Sequence, residues 1–284
     1  MKIQFMTDGG ADIPEALLDT LNIKIVPLYL HFKDNTYKSA GNKNIFSFYE
    51  KIEKYKELPR SAAPGPYDFY KAYQEVEPDQ PIMMLTISAG LSSTYENAVA
   101  GKDMLLEEEP ERSIEVINTK TASCGIALIL HEAQSKLKEN YTFEELTAHL
   151  QKRVNQTTTL FVLQTLDHLI LGGRLDKVRG KIANTLNIKL LMRGSEEGTI
   201  EVTEKVRGEK RALRRFVEQI ESYTNNTKDK VIFMSHGNDE PRAKAILSNI
   251  QRKFSFKETY VTEMGPLIFT HGGNGAIVVT FFKD

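Results

Sequence analysis

Four short stretches hold the side chains best suited to gripping or transforming a small polar group. Near the carboxyl end, "THGGNG" sets His271 before Gly272, Gly273 and Gly275. Glycines permit close backbone approach and positive φ, so amides can converge on an anion, and an imidazole can add a hydrogen bond or a charge. As structure alone, the same histidine closes an apolar strand. In "TISAGLSSTYENA" an apolar run gives way to Ser88, Ser92, Ser93 and Thr94. Ser93 and Glu96 have capping-box spacing, which predicts Ser93 as the cap of a following helix. One cap needs one hydroxyl, and Ser92 is left without a structural duty. The amino terminus of that helix suits a carboxylate or phosphate, so Ser92 is the candidate ligand. "RSAAPGP" places Ser61 in a loop stiffened by Pro64 and Pro66. "LILGGRL" breaks an apolar helix at Gly172 and Gly173 and puts Arg174, a side chain suited to bidentate oxyanion pairing, just past the break.

These residues need a frame, and the apolar pattern supplies one. Short apolar runs alternate with helical stretches through the first half. Residues 2–6 predict a strand, followed by a helix in "ADIPEALLDTL" with Asp12 as its cap and Pro14 in its first turn. "NIKIVPLYLHF" reads as β-rich, 45–55 as a helix, and "LPRSAAPGPYDF" as a loop leading into a helix near Tyr67. The wholly apolar run 81–88 predicts a strand covered on both faces. A helix, the strand "SIEVIN" and two more helices follow, the last announced by a capping box of Thr142 and Glu145. From about residue 155 paired strands become more frequent. "TTTLFVLQTL" is a strand, "DHLILGGRLD" a broken helix, and "IKLLMR" and "TIEVTEKV" a hairpin around "GSEEG". A charged helix over 208–223, with one solvated side, precedes strand, helix and strand before the final motif. The expected fold class is α/β in two domains: a parallel, Rossmann-like one over 1–155 and a mixed α/β one over 156–284.

Composition narrows the function classes. The 37 basic and 38 acidic side chains leave a net charge of −1, which argues against nucleic acid or an anionic membrane surface as partner. The single cysteine, Cys124, forbids an internal disulfide and suits a reducing compartment, so a cytoplasmic location is expected. No apolar run reaches the roughly 18 residues of a membrane span, and none is expected to insert stably. His31, His131, His149, His168, His236 and His271 are scattered without metal-ligand spacing, so no metal is expected. G-x-S-x-G and the Walker phosphate loop are both absent.

Taken in order, "TDGGADIP", "RSAAPGP", "ISAGLSSTYENA", "IEVINTKTASCG", "LQTLDHLILGGRL" and "MGPLIFTHGGNGA" resemble the DegV family of bacterial fatty-acid-binding proteins, over nearly the whole chain. The resemblance implies two α/β domains clasping one long-chain fatty acid at their seam, with no other cofactor. It implies carboxylate binding by Ser61, Ser92 and His271, with supporting headgroup contacts from Ser93, Thr94 and Gly272. It also implies a carrier, not itself an enzyme, that presents the acid to a separate ATP-dependent fatty acid kinase for conversion to an acyl phosphate for phospholipid synthesis. Arg174 is implied as a contact for that kinase. The chain departs from the family pattern at Gly9, Ala62, Ala63, Ser93, Asn118 and Asn274, where serine, two polar residues, glycine, aspartate and proline are usual. Ser93 is expected to crowd the carboxylate slightly. Two other readings compete: a serine esterase or thioesterase using Ser92 and His271, and a regulatory binding protein for some other amphiphile.

Overall fold

The computed structural model describes residues 2–41, 45–55, 57–175 and 187–284. In the first half the chain forms Gln4–Asp8 (β1), Glu15–Leu21 (α1), Lys24–Val26 (β2), Leu28–His31 (β3), Thr36–Ser39 (β4), Ile45–Tyr55 (α2) and Arg60–Ala62 (β5). Pro66–Gln74 (α3), Ile82–Thr86 (β6), Thr94–Glu108 (α4), Ile114–Asn118 (β7), Cys124–Lys138 (α5) and Phe143–Gln156 (α6) follow. Strands β2-β1-β6-β7 pair in that order, all parallel. Every residue of β6 is buried. Its alternate side chains go to opposite covers: Ile82 and Met84 join Phe69, Tyr73 and Leu105 of α3 and α4, while Met83 and Leu85 join the large core on the other face. A strand covered on both sides can be apolar throughout, and this one is.

The stretch 22–32 does not form one unit. Pro27 ends β2, and β3 turns into a separate antiparallel sheet of order β4-β3-β5. Ser61 therefore sits on a strand, paired with Leu30, rather than in the expected loop. Two expected caps also differ. Helix α1 starts after Pro14, and Asp12 is fully buried with its carboxylate turned to distant partners. Ser93 precedes α4 but its exposed side chain makes no cap hydrogen bond. The Thr142–Glu145 capping box forms, with Glu145 N–H on Thr142 Oγ1 at 3.2 Å and Thr142 N–H on Glu145 Oε2 at 2.9 Å.

The second half contributes Thr157–Val162 (β8), Asp167–Leu171 (α7), Ile188–Gly194 (β9), Ile200–Arg207 (β10), Glu209–Glu218 (α8), Val231–His236 (β11), Glu240–Lys253 (α9), Glu258–Glu263 (β12), Pro266–Gly272 (α10) and Ile277–Phe282 (β13). Helix α8 stops at Glu218 and tightens into a 3₁₀ turn over Gln219–Ser222, short of the expected 223. Residue 176, the last of the expected broken helix, lies outside the described residues. The six strands pair as β10-β9-β8-β13-β11-β12, antiparallel except for β11 with β12. The run before His271 is not a strand but α10, opened by Pro266 in its first turn.

The fold class is thus α/β with a parallel and a mixed sheet. One face of the mixed sheet packs Leu160, Ile277 and Val279 against Phe216 and Ile246 of α8 and α9. Its other face, with Phe161, Phe233 and Val278, shares one continuous core with Phe5, Met83 and Leu85 of the parallel sheet. Helix α5 lies in that shared core, buried on most sides, and packs on β8, β11 and β13.

Candidate functional site

Helix α10 carries His271 in its last turn, and both ends of this short helix are tied down. Asp12 Oδ1 accepts the Gly265 N–H at 2.7 Å, and Ser39 Oγ accepts the Leu267 N–H at 3.2 Å. At the other end Gly273 has φ of 75°, and a Cβ there would lie 3.0 Å from His168 Nε2. The turn therefore needs glycine twice over. Strand β5 brings Ser61 to the imidazole: Ser61 Oγ lies 3.0 Å from His271 Nε2, across 210 residues of sequence. Ser92 stands in the loop between β6 and α4, its Oγ 2.7 Å from Thr94 Oγ1. Arg174 joins the two sides. Its Nε donates to Leu91 O at 3.2 Å and its Nη1 to Gly172 O at 2.6 Å, linking the segment beside Ser92 to the segment beside His271.

Ser61, Ser92, Arg174, His271 and Gly272 line the same cavity. Its walls are otherwise mostly apolar, with Ile87, Leu91, Phe161, Leu163, Leu267 and Val278 among them. The cavity holds about 970 Å³ between protein atoms, its mouth included. Thr94 is buried and supports Ser92, whereas Ser93 points to solvent outside the lining and does not crowd it. On its outer side the polar end meets an open cleft that shares Ser61, Arg174 and His271 and adds Arg60, His168 and Leu171.

Burial is the main reason the His271 imidazole is pushed down to about 4, with smaller contributions from the Arg174 and His168 charges. The ring is neutral at pH 7. Its Nδ1 is buried without a hydrogen-bond partner, and a Cβ on Gly172 would lie 2.4 Å from it. Hydrogen bonding by the ring is thereby confined to Nε2, on the Ser61 side. A neutral imidazole and two hydroxyls are a donor set for an anion's oxygens rather than a strong charge. Among the described residues a nucleophile–base pair of Ser92 and His271 is not formed: Ser92 bonds Thr94, and no carboxylate backs Nδ1.

Asp12 and Ser123 escape a sequence reading. Ser123 also lines the cavity, at φ 60° and ψ −137°, a region that costs a non-glycine residue roughly 1–3 kcal/mol. It is held there by its N–H on Gly10 O at 2.7 Å, by Ser235 Oγ at 2.6 Å, and by donation to the Asp12 carboxylate. Burial pushes Asp12 up to about 7 despite hydrogen bonds from Ser123, Gly265 and Ser235. Burial likewise pushes Asp8 up to about 6 against bonds from the Ile87 and Gly10 N–H groups at 2.7 and 2.8 Å. The departures from the family pattern have local reasons. A Cβ at Gly9 would sit 1.9 Å from Ser39 O, so the backbone leaves no room for serine there. Ala62 and Ala63 add apolar wall to the cavity. Asn118 Oδ1 accepts from the Ala89 and Lys120 N–H groups at 3.2 and 3.0 Å, as a carboxylate would, and Asn274 is exposed. Among the described residues no His, Cys, Asp and Glu cluster suits a metal, and no helix is long and apolar enough to cross a membrane.

Known proteins share this arrangement of sheets. A fatty acid-binding protein of Thermotoga maritima is 27% identical over 98% of this chain and 96% of its own. A DegV family protein of Ruminococcus gnavus, solved with vaccenic acid, superposes with a TM-score of 0.91 at 28% identity, covering 99% of both chains. One from Eubacterium eligens, loaded with heptadecanoic acid, gives 0.86 at 26% identity, covering 99% of this chain and 100% of that one. The family model described as "Uncharacterised protein, DegV family" matches residues 2–284, and on that match the chain belongs to the DegV family.

Proposed function

We propose that this protein binds one long-chain fatty acid, tail in the apolar cavity and carboxylate at Ser61, Ser92 and His271, and presents that carboxylate to a separate ATP-dependent kinase. The observation that carries the reading is the position of the Ser61–His271 pair, where the apolar cavity meets a second cleft that brings in Arg60, His168 and Arg174. A tail buried at about 0.8 kcal/mol per methylene supplies most of the affinity. The headgroup then needs orientation more than charge, with one oxygen facing the cleft for transfer of a γ-phosphate. Arg174, in the wall of both spaces, is the residue we assign to the kinase side. We read residues 1–155 and 156–284 as the two lobes and the cavity as their seam; the parallel sheet is built wholly from the first and the mixed sheet wholly from the second. On this reading the protein is a carrier in an ATP-containing compartment, the cytoplasm. The bound fatty acids of the Ruminococcus and Eubacterium relatives support the ligand class.

Intact mass under native and denaturing conditions tests the proposal. The expected result is a native excess equal to one fatty acid, lost on unfolding. A covalent excess that survives unfolding would instead indicate an acyl-enzyme, and no adduct after incubation with a panel of fatty acids would reject the ligand. A second expectation concerns Gly172, which has an ordinary helical backbone and no room for a side chain. Gly172→Ala should displace the imidazole and weaken fatty acid binding about ten-fold, the loss of one hydrogen bond to a charged group. Its thermal midpoint should fall by a few degrees, because a buried ring has to move. Ligand titration beside a melting curve checks both.

A further inference from the structure

The apolar cavity meets polar surroundings a second time, away from His271. A chamber of about 720 Å³, its open side included, is lined by Lys120, Arg193, Ser195, Glu196, Tyr223 and Lys283. Lys120, Thr159 and Gly194 belong to the walls of both this chamber and the apolar cavity. The chamber and the cleft outside His271 have no wall residue in common. Arg193 and Lys283 are paired with Glu201 and Glu196 at 2.7 and 2.9 Å. Lys120 makes no ion pair within 4 Å among the described residues, although its charge helps to lower the Glu196 carboxyl; its Nζ rests on Asn155 Oδ1 at 3.0 Å. At the junction Thr121 Oγ1 and Thr159 Oγ1 are 2.7 Å apart. A methyl-ended chain has no use for two hydroxyls and an ammonium.

Gly194 stands in the wall common to both spaces. Its φ lies outside the left-handed region, and a Cβ would meet nothing nearer than Lys120 O at 3.9 Å and Thr159 Cβ at 4.0 Å. The space is open because no side chain fills it.

We propose that this chamber is a second polar subsite, which takes a hydroxyl or carboxylate at the far end of a long acyl chain: an ω-hydroxy or α,ω-dicarboxylic acid. The proposal rests on the cavity being a fatty acid site. Lys120 supplies the charge for a carboxylate, Thr121 and Thr159 the hydrogen bonds for either group, and Gly194 the way through.

Matched mono-, ω-hydroxy- and α,ω-dicarboxylic acids from dodecanoic to octadecanoic length would be titrated by displacement of a fluorescent fatty acid. At the length that spans the cavity, the two oxygenated acids should bind within about ten-fold of the plain acid, whereas a closed apolar end would reject them by more than about a hundred-fold. In Lys120→Met the ratio of dicarboxylic to plain acid affinity should fall about ten-fold, with a smaller fall for the hydroxy acid. In Gly194→Leu both ratios should fall. Hundred-fold rejection of the oxygenated acids at every length, with the plain acids still binding, would overturn the subsite and leave the carrier reading standing. Unchanged ratios in both variants would do the same. Failure of all the acids to bind would end both readings together.

Discussion

His271→Ala is expected to weaken fatty acid binding roughly ten- to a hundred-fold, the equivalent of one hydrogen bond to a charged group at about 1.5–3 kcal/mol. On the proposed function, acyl-phosphate formation with a separate kinase should fall with it. The pH dependence gives the substitution its own signature. In the free protein the ring titrates at about 4, below its ordinary 6.5. A carboxylate beside Nε2 favours the imidazolium and raises that value. Binding then takes up protons between the free and the bound value. Affinity in the wild type should therefore rise as pH falls through that window, until the ligand's own carboxylate protonates. The alanine variant should lack this component. Isothermal titration at several pH values measures both effects, and equal affinities with parallel profiles would remove His271 from the headgroup site.

Asp12→Asn is expected to flatten the dependence of stability on pH. The Asp12 carboxyl has an ordinary value of 3.8 and is pushed up to about 7 by burial. Between those values the folded state keeps a proton that the unfolded state has released. Stability is therefore greatest below the window, falls as pH rises through it, and has lost the full contribution above about 7. Within the window the slope from this one group approaches about 1.4 kcal/mol per pH unit. Asparagine carries no charge at any of these pH values. Asp8, pushed up to about 6 with the same sign, remains in both proteins and cancels from the difference. Asp12→Ala should behave otherwise, because it strands the Gly265 N–H and the Ser123 hydroxyl at about 1–3 kcal/mol each. Denaturant unfolding from pH 4 to 8 distinguishes these cases. Parallel curves for the wild type and the asparagine variant would mean that Asp12 does not titrate in this range.

The sequence announced the elements whose residues act locally. The apolar run 81–88 has its strand, the Thr142–Glu145 box has its helix, and "GSEEG" has its hairpin. What stayed hidden depends on distant partners. Nothing in "PRSAAP" shows a strand, because β5 is three residues long and owes its conformation to pairing with β3. Asp12 has the look of a cap, yet its hydrogen bonds go to Ser123 and Gly265. A short apolar run such as "PLIFT" fits helix and strand alike by periodicity, and the proline in its first turn was the better signal. Ser92 and His271 stand out by residue type and Ser61 only by the family resemblance, and the structure sets all three around one cavity. That Ser61 rather than Ser92 meets the ring, and that Lys120 and Thr159 border two spaces, are facts of packing.

Helix α5 is shared property: it lies on β8, β11 and β13, yet its side chains merge with those of Phe5, Met83 and Leu85. Prising the two sheets apart would strip its apolar surface into water, at about 1.5–3 kcal/mol for each large side chain laid bare. The core shared by the two sheets is therefore a weld and not a hinge. On the proposed function, a long, thin guest held in so rigid a vessel would come and go by sliding along its own axis. On the proposed function, every carbon added to the guest would bury more apolar surface and lengthen its stay, so the cargo itself would set the timing of its release.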